Sequence, residues 1–273
     1  MTDHRDWTGQ VGHIWATEWR RTDRSFGELT PQLLAAAEVE TYAHALDIGC
    51  GAGELSVALA SRYPDRHVTG VDISGELLAV ARQRSGDFTN TAFAHADAAT
   101  FEPRHAPDLL LSRHGVMFFR DPVAAFAHLH DRAARKARLA FSCFRTRGQN
   151  AWVTTVMGAL AEAPAPPADP REPGPFAFGD RDHVDTVLRE AGWREIAFHQ
   201  IDYRMIFGAG EHPVSDAVDY LTRVGPTASP IAALPDEERA ATLVRLASIL
   251  DDHRQGDTVS LPASAWLVTA RKG

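Results

Sequence analysis

Hydrophobic and polar positions change along this chain in blocks that predict strands and helices in alternation. Short apolar runs occur at 45–49, 67–73, 91–96, 108–112 and 138–144, and glycine, proline or aspartate bounds most of them. Segments with helical spacing of apolar residues separate these runs. Repeated strand–helix–strand units of this length predict a parallel sheet with helices on both faces, which is a doubly wound α/β fold.

The pattern changes after the fifth predicted strand. Six prolines within 160–176 exclude regular structure there, and we interpret the segment as a surface loop over the site. A strand at 196–206 and a closing strand at 264–270 follow. Between them, residues 213–253 predict amphipathic helices. These helices form either a lid or the face of a homodimer, and apolar spacing does not separate the two interpretations.

The beginning of the chain predicts a helical cap over residues 1–44. Trp15 and Trp19 lie four positions apart and share a face if the segment is helical. Two interpretations stay open for this pair. The rings form aromatic walls over a cofactor or acceptor, or they simply pack onto the domain.

Composition narrows the range of partners. The chain has 273 residues, 44% of them hydrophobic, and a formal net charge of −8. An acidic chain without a dense basic stripe is poorly suited to nucleic acid, so we expect none as substrate. Two cysteines, Cys50 and Cys143, give neither a disulfide framework nor a metal site, which favours a cytoplasmic protein. No run of apolar residues is long enough to predict a membrane span.

A glycine loop follows the first predicted strand. Gly49, Gly51 and Gly53 alternate in the segment DIGCGAG at 47–53. A strand, a glycine loop and a helix start together form a nucleotide site, because backbone N–H groups point outward and glycine allows close approach. The dinucleotide fingerprint has its third glycine where this chain has Glu54. That carboxylate would repel a pyrophosphate, so the loop favours a nucleoside cofactor without phosphate.

Two aspartates end the next two predicted strands. Asp72 ends the second strand, where a carboxylate can accept both hydroxyls of a ribose. Asp97 ends the third strand, where it can meet the edge of an adenine. Because the carboxyl ends of parallel strands face one crevice, we expect both side chains beside the glycine loop.

These motifs resemble the class I S-adenosylmethionine-dependent methyltransferases. The resemblance rests on ALDIGCGAG at 45–53, VDIS at 71–74, ADA at 96–98 and SRHGVMFFRDP at 112–122. The last of these, with the C-terminal LPASAWLVTAR, is similar to the branch that includes quinone-biosynthesis C-methyltransferases. The resemblance implies a Rossmann-like, seven-stranded sheet of order 3-2-1-4-5-7-6 with strand 7 antiparallel. It also implies a methyltransferase domain over 45–273, S-adenosylmethionine as cofactor and a small-molecule acceptor.

The resemblance also implies roles for individual residues. The three loop glycines line the methionine part of the cofactor, Asp72 holds the ribose, and Ser112 lies near the sulfonium. The cofactor-binding residues expected in these motifs are Asp47, Gly49, Gly51, Gly53, Asp72, Ile73, Asp97, Ala98 and Ser112, with Trp15 and Trp19 from the cap.

His114 is the candidate catalytic residue. It follows the fourth strand beside the expected cofactor pocket, at a position where the resemblance would place an apolar aromatic residue. If the acceptor is a phenol or an acidic carbon, a base assists the transfer, and a histidine that titrates near neutrality suits this role. The other interpretation is a partly buried histidine that the backbone satisfies.

Three functions are consistent with these features. The first is methyl transfer to a small molecule at oxygen, carbon or nitrogen, by in-line displacement. The second is a catalytically idle cofactor-binding module with a regulatory role. The third is a nicotinamide-dependent oxidoreductase, which the glycine spacing disfavours.

Overall fold

A computed structural model describes residues 9–38 and 40–273. The first eight residues of the predicted cap and Val39 lie outside these ranges. The strands are β1 His44–Ile48, β2 His67–Asp72, β3 Thr91–His95, β4 Leu109–Arg113, β5 Arg138–Phe144, β6 Arg194–Ala209, β7 Arg254–Gln255 and β8 Thr258–Arg271. The helices are α1 Gln10–Thr17, α2 Trp19–Ser25, α3 Thr30–Ala37, α4 Glu54–Arg62, α5 Gly75–Ser85, α6 Pro122–Arg132, α7 Ala151–Met157, α8 Arg181–Glu190, α9 Pro213–Leu221, α10 Ala228–Ala232 and α11 Asp236–Asp251.

The sheet confirms the predicted doubly wound topology. Its order is β3-β2-β1-β4-β5-β8-β6, and β8 runs antiparallel to both of its long neighbours. The two-residue β7 pairs with β8 and is an addition to the seven predicted strands. The central strands β4 and β5 are almost entirely buried, as expected for strands covered on both faces.

The last strand is longer than its sequence pattern predicts. It begins at Thr258 rather than at residue 264. Apart from the two-residue β7, its first part pairs only with β6 among the described strands. Pro262 lies in that first part, opposite Arg204. Proline is tolerated there because β5 has already ended at Phe144, opposite Ala265, so one side of β8 needs no N–H donor.

A tight turn precedes β5. The Ala137 N–H donates to the Ala134 carbonyl at 3.0 Å. Lys136 within it has a φ of 63°, in the left-handed region that glycine normally occupies.

The helical segments at the two ends of the chain pack together. In the predicted insertion 213–253, three helices are observed, and the break falls near Gly225, whose φ is 97°. Asp216 of α9 forms ion pairs of 2.8 Å with both Arg21 and Arg24 of α2. The insertion and the N-terminal helices thus form one cover over the carboxyl edge of β4, β5 and β6. No helix in the described ranges has an apolar stretch long enough to cross a bilayer.

Candidate functional site

The glycine loop places its three glycines in the left-handed region, with φ values of 62°, 53° and 80°. A Cβ on Gly53 would lie 2.9 Å from the Cβ of Ala81, so this glycine is required for packing of α4 on α5. A Cβ on Gly49 would lie 3.1 Å from the Cα of Gly115. A Cβ on Gly51 would meet no atom within 4 Å. Gly51 therefore presents the open surface of the loop, where a ligand can approach the backbone.

Asp72 lies directly beside this surface. One of its carboxylate oxygens accepts a hydrogen bond from the Gly51 N–H and the other from the Ser74 N–H, each at 2.8 Å. Burial raises the pKa of this carboxyl, and the two backbone donors oppose the shift. A carboxylate has about four acceptor positions. Those that remain can receive ribose hydroxyls, as the sequence predicts.

The end of β3 contributes the third motif. One oxygen of Asp97 accepts from the Ala99 N–H at 2.8 Å, which fixes the turn after the strand. Ala98 is buried. The Ile73 carbonyl lies 2.8 Å from Nε2 of His95, so β2 and β3 are tied together where they end. The residues that follow β2 and β3 therefore lie side by side next to Asp72.

Asp47 is directed into the loop and not toward its open surface. Its Oδ2 accepts hydrogen bonds from the Ser56 N–H at 3.1 Å and from the Ser56 hydroxyl at 2.6 Å, which joins the carboxylate to the first turn of α4. Its Oδ1 is buried and has no hydrogen-bond partner in the described residues. Burial raises the pKa of Asp47 to about 6, although the Ser56 donors lower it.

Ser112 acts as a support for the loop. Its hydroxyl donates to the Ile48 carbonyl at 2.7 Å and accepts from the Gly115 N–H at 3.2 Å. The side chain is fully buried. Ser112 thus holds the ends of β1 and β4 together, which brings Gly115 against Gly49.

We call the group formed by Gly49, Gly51, Asp72 and Asp97 the glycine crevice. Its residues fit S-adenosylmethionine. Gly51 gives a bare backbone surface, Asp72 gives free acceptor positions, and the unpartnered Oδ1 of Asp47 gives nearby negative charge for a cationic ligand. Glu54 begins α4, where the sequence pattern disfavours a dinucleotide, and its carboxylate pairs with Arg113.

A network of ion pairs attaches the N-terminal helices to the glycine crevice. Asp23 of α2 pairs with Arg84 at 2.8 Å and with Arg113 at 3.1 Å. Arg113 also pairs with Glu54, and Arg84 donates to the Ala52 carbonyl at 2.9 Å. These groups are largely buried, so the network is more than a surface salt bridge.

The two tryptophans of the cap lie in consecutive helices, because α1 ends at Thr17 and α2 begins at Trp19. The Trp19 ring lies between the guanidinium groups of Arg20 and Arg84, whose carbon atoms are 4.4 and 3.9 Å from its centroid. Trp15 is partly buried and packs against the core. Trp19 thus contacts an arginine that itself binds the glycine loop, while a role for either ring over the cofactor stays a prediction.

His114 occupies a strained position at the end of β4. Its φ is 59°, and its ring is buried and stacks on Phe144 with centroids 4.2 Å apart. Within the described residues, neither ring nitrogen has a hydrogen-bond partner. Burial, and secondarily the charge of Arg113, lowers the pKa of His114 to about 3. The imidazole is therefore neutral at physiological pH, unlike the near-neutral titration that the sequence interpretation assumed.

Aromatic side chains surround His114 and form what we call the aromatic cluster. Consecutive ring centroids lie 4.2–6.3 Å apart. The members are Phe26, His114, Phe144, Trp152, Phe176 and Phe207. Phe178, two residues after Phe176, is not a member and packs on Phe126 and Phe141.

Sequence reasoning missed Phe26, Phe144 and Phe207. Each is apolar and lies in or beside a regular element, so its sequence context is that of an ordinary core residue. The three come from the cap, β5 and β6, and only folding brings them together. The stacked histidine was the one signal available, because a polar residue occupied a position expected to be aromatic.

Comparisons with known proteins agree with this geometry. A family described as a methyltransferase domain matches residues 45–135, which contain β1 to β4 and the glycine crevice. The chain is 44% identical over 79 residues to trans-aconitate 2-methyltransferase of Methylobacterium radiotolerans, a match that spans 29% of each chain. It is 28% identical over 206 residues to the enzyme of that name from Escherichia fergusonii, covering 72% of this chain and 73% of the relative.

Solved structures share the fold. A putative methyltransferase of Bacillus halodurans superimposes with a TM-score of 0.55 at 16% identity, over 90% of this chain and 99% of that one. Phosphoethanolamine N-methyltransferase 2 of Haemonchus contortus, in complex with S-adenosyl-L-methionine, gives a TM-score of 0.57 at 15% identity, over 100% of this chain and 60% of that one. Together, the glycine crevice, the methyltransferase-domain match and these relatives support a class I S-adenosylmethionine-dependent methyltransferase, an enzyme with S-adenosylmethionine as its cofactor.

Proposed function

We propose that this methyltransferase acts on a small molecule held against the aromatic cluster. The observation that carries the proposal is the contact between the glycine loop and the residue after His114. A Cβ on either Gly49 or Gly115 would lie 3.1 Å from the Cα of the other, so the cluster begins where the glycine crevice ends. The net charge of −8 disfavours a nucleic-acid acceptor.

When bound, S-adenosylmethionine supplies a methyl group on a sulfonium, which is a good leaving group for in-line displacement. We assign Gly49 and Gly51 to its methionine part, Asp72 to the ribose, and Asp97, Ala98 and Ile73 to the adenine side. Gly53, Ser112 and Asp47 would then support the loop from behind, through packing on Ala81 and the bonds to Gly115 and Ser56. Trp19 would stabilise the N-terminal part of the cover through its contact with the Arg84 guanidinium.

The chain's contribution to the reaction is alignment, exclusion of water and acceptance of a proton. A neutral imidazole can accept a hydrogen bond from an acceptor hydroxyl and orient its oxygen. Its low basicity makes it a poor base toward an unreacted alcohol. It can still take the proton once the oxygen carries the methyl group, because a protonated ether is a far stronger acid than imidazolium. We therefore assign His114 to orientation and late proton acceptance.

The test separates acceptor classes by size. Purified protein is incubated with S-adenosylmethionine and either the small-molecule or the macromolecular fraction of a cell extract, and S-adenosylhomocysteine is measured over time. We expect turnover with the small-molecule fraction and one product heavier by a methylene unit. Turnover with the macromolecular fraction alone, or with neither fraction while the cofactor binds, would contradict the proposal. The second result would favour the idle module.

The curated relatives suggest a specific acceptor to include. They are named for trans-aconitate, so that compound is the first carboxylate to assay. A carboxylate needs no base, because it is already a nucleophile at neutral pH. Methylation of trans-aconitate would therefore be insensitive to loss of the His114 imidazole as proton acceptor.

A further inference from the structure

Two buried side chains at the aromatic cluster lack the hydrogen bonds that a folded protein normally provides. Neither nitrogen of His114 has a partner in the described residues, and neither does the hydroxyl of Tyr203. Tyr203 is 5% exposed, and burial raises the pKa of its phenol. An unsatisfied buried polar group costs about 1–3 kcal/mol, and the great majority of such groups are paired. The two groups are therefore candidate contacts for a ligand, provided that they face the same region of the fold.

The strand register places Tyr203 on the same face of the sheet as Phe144. Phe144 pairs with Ala265 of β8, and Ala265 pairs with Ile201 of β6. Directly paired residues project to the same face, and so does every second residue along a strand. Tyr203 therefore projects beside Phe144, with β8 between them.

Small residues occupy the strand between these two rings. Tyr203 pairs with Ala263, and the next residue on that face of β8 is Ala265. Neither has a side chain beyond Cβ, so no large side chain of β8 stands between Tyr203 on one side and Phe144, on which His114 stacks, on the other.

Charges around the cluster are already compensated. Arg113 lies over the Phe26 ring at 4.9 Å and is paired with Asp23 and Glu54. Arg24 donates to the Phe207 carbonyl at 2.9 Å and is paired with Asp216. A polycarboxylate bound here would lose its hydration and would find no free cation, because both arginines are already paired with carboxylates of the protein. Burying unpaired charge is much more costly than burying a neutral hydroxyl.

We propose that the methyl acceptor is an uncharged molecule with a flat apolar body and two polar groups. One is a hydroxyl that donates a hydrogen bond to His114, and the other is an oxygen or nitrogen that accepts a hydrogen bond from the Tyr203 hydroxyl. This inference rests on the proposed function and narrows its substrate class. It also separates this chain from the carboxylate acceptors after which its relatives are named. Tyr203 is then a specificity residue, because it hydrogen-bonds the end of the molecule that is remote from the reacting oxygen.

The experiment uses two probes that differ in charge and hardly in shape. Binding of 4-hydroxybenzamide and of 4-hydroxybenzoate to the protein loaded with S-adenosylhomocysteine is measured by calorimetry. We expect the amide to bind at least about tenfold more tightly than the carboxylate, which corresponds to about 1.4 kcal/mol. Tyr203→Phe should weaken amide binding about 2- to 10-fold, the value of one neutral hydrogen bond.

Tyr42→Phe is the matched control. Its hydroxyl is also buried, but its ring packs on Tyr63 and beside the Arg66 guanidinium, in another part of the core. Tyr203→Phe removes no hydrogen bond of the ligand-free fold, so it should not lower Tm. Only Tyr203→Phe should change binding of the amide. A merely structural Tyr203 would give two variants that bind the amide equally well.

The outcomes distinguish the acceptor class from the proposed function. Tighter binding of the carboxylate, no binding of the amide, or an unchanged affinity in Tyr203→Phe would overturn the inference. If turnover with the small-molecule fraction persists in those cases, the proposed function stands and only the acceptor class is wrong. If S-adenosylhomocysteine binds and no small molecule is methylated, the proposed function fails first.

Discussion

The glycine crevice and the aromatic cluster lie side by side, but they are built in different ways. The crevice comes from one stretch of chain, from β1 to the end of β3, and most of its polar atoms are hydrogen bonded within the protein. The cluster takes its rings from α2, β4, β5, α7, β6 and the proline-rich loop. It contains His114 and borders Tyr203, whose polar atoms have no partner in the described residues.

This difference matches two tasks. A cofactor that many enzymes share can be bound by backbone geometry and a few carboxylates, and short motifs encode such a site. An acceptor particular to one enzyme must be recognised by side chains that its fold brings together.

The largest expected effect is on the cluster side. His114→Asn keeps a residue that tolerates the left-handed backbone and removes the imidazole. With a hydroxyl acceptor, kcat should fall about 10²-fold or more, because the acceptor oxygen loses the hydrogen bond that orients it. The cofactor Kd should change little, since the ring does not border the glycine crevice. Steady-state kinetics and calorimetry measure the two quantities, and an equal loss in both would show that His114 supports the crevice instead.

The crevice itself can be tested at Gly51. Gly51→Ala places a methyl group on the open surface of the loop, and an obstruction worth 1–3 kcal/mol corresponds to a cofactor Kd raised about 5- to 150-fold. Gly256→Ala is the matched control, because Gly256 has a similar φ of 61° and also has no atom near its missing Cβ. Both variants should lose similar stability from backbone strain. Equal cofactor affinity in the two variants would place the ligand elsewhere.

Cofactor binding should depend on pH through Asp47. Burial raises the pKa of this carboxyl to about 6, so its contribution to stability is largest in acid and is lost as pH rises through about 6. A bound cation favours the ionised form, so affinity should be highest above pH 6 and fall up to about tenfold per unit below it. Calorimetry from pH 5 to pH 8 tests this. In Asp47→Asn, cofactor affinity should depend less on pH, because only the smaller contribution from the titration of Asp72 remains.

The smallest effect concerns the cover over both regions. Arg84→Gln breaks the largely buried pair with Asp23 and should lower the free energy of unfolding by about 1–2 kcal/mol. Arg62→Gln breaks a more exposed pair with Glu38 and should cost less than about 1 kcal/mol. Denaturant unfolding of both variants gives the comparison. Similar losses would mean that the Asp23 network does not hold the cap.

The sequence pattern by itself predicted a doubly wound sheet with a nucleoside site, and the resemblance of its motifs implied the strand order and S-adenosylmethionine. Strand and helix periods are local properties, and the crevice motifs end consecutive strands whose carboxyl ends must meet at one edge. The positions of Gly51, Asp72 and Asp97 were therefore predictable. The inward direction of Asp47 and the supporting bonds of Ser112 were not, because either side chain could have faced the ligand until its neighbours were known.

The tertiary structure alone decided the acceptor side. Phe26, Phe144, Phe207 and Tyr203 are separated along the chain and are typical core residues in their local sequence. Burial also changed the chemistry of His114, because removing an imidazole from water disfavours its charged form and makes a presumed near-neutral base a neutral hydrogen-bond acceptor. Partnering, burial and charge compensation depend on which atoms surround a group, and that is settled only when distant segments pack.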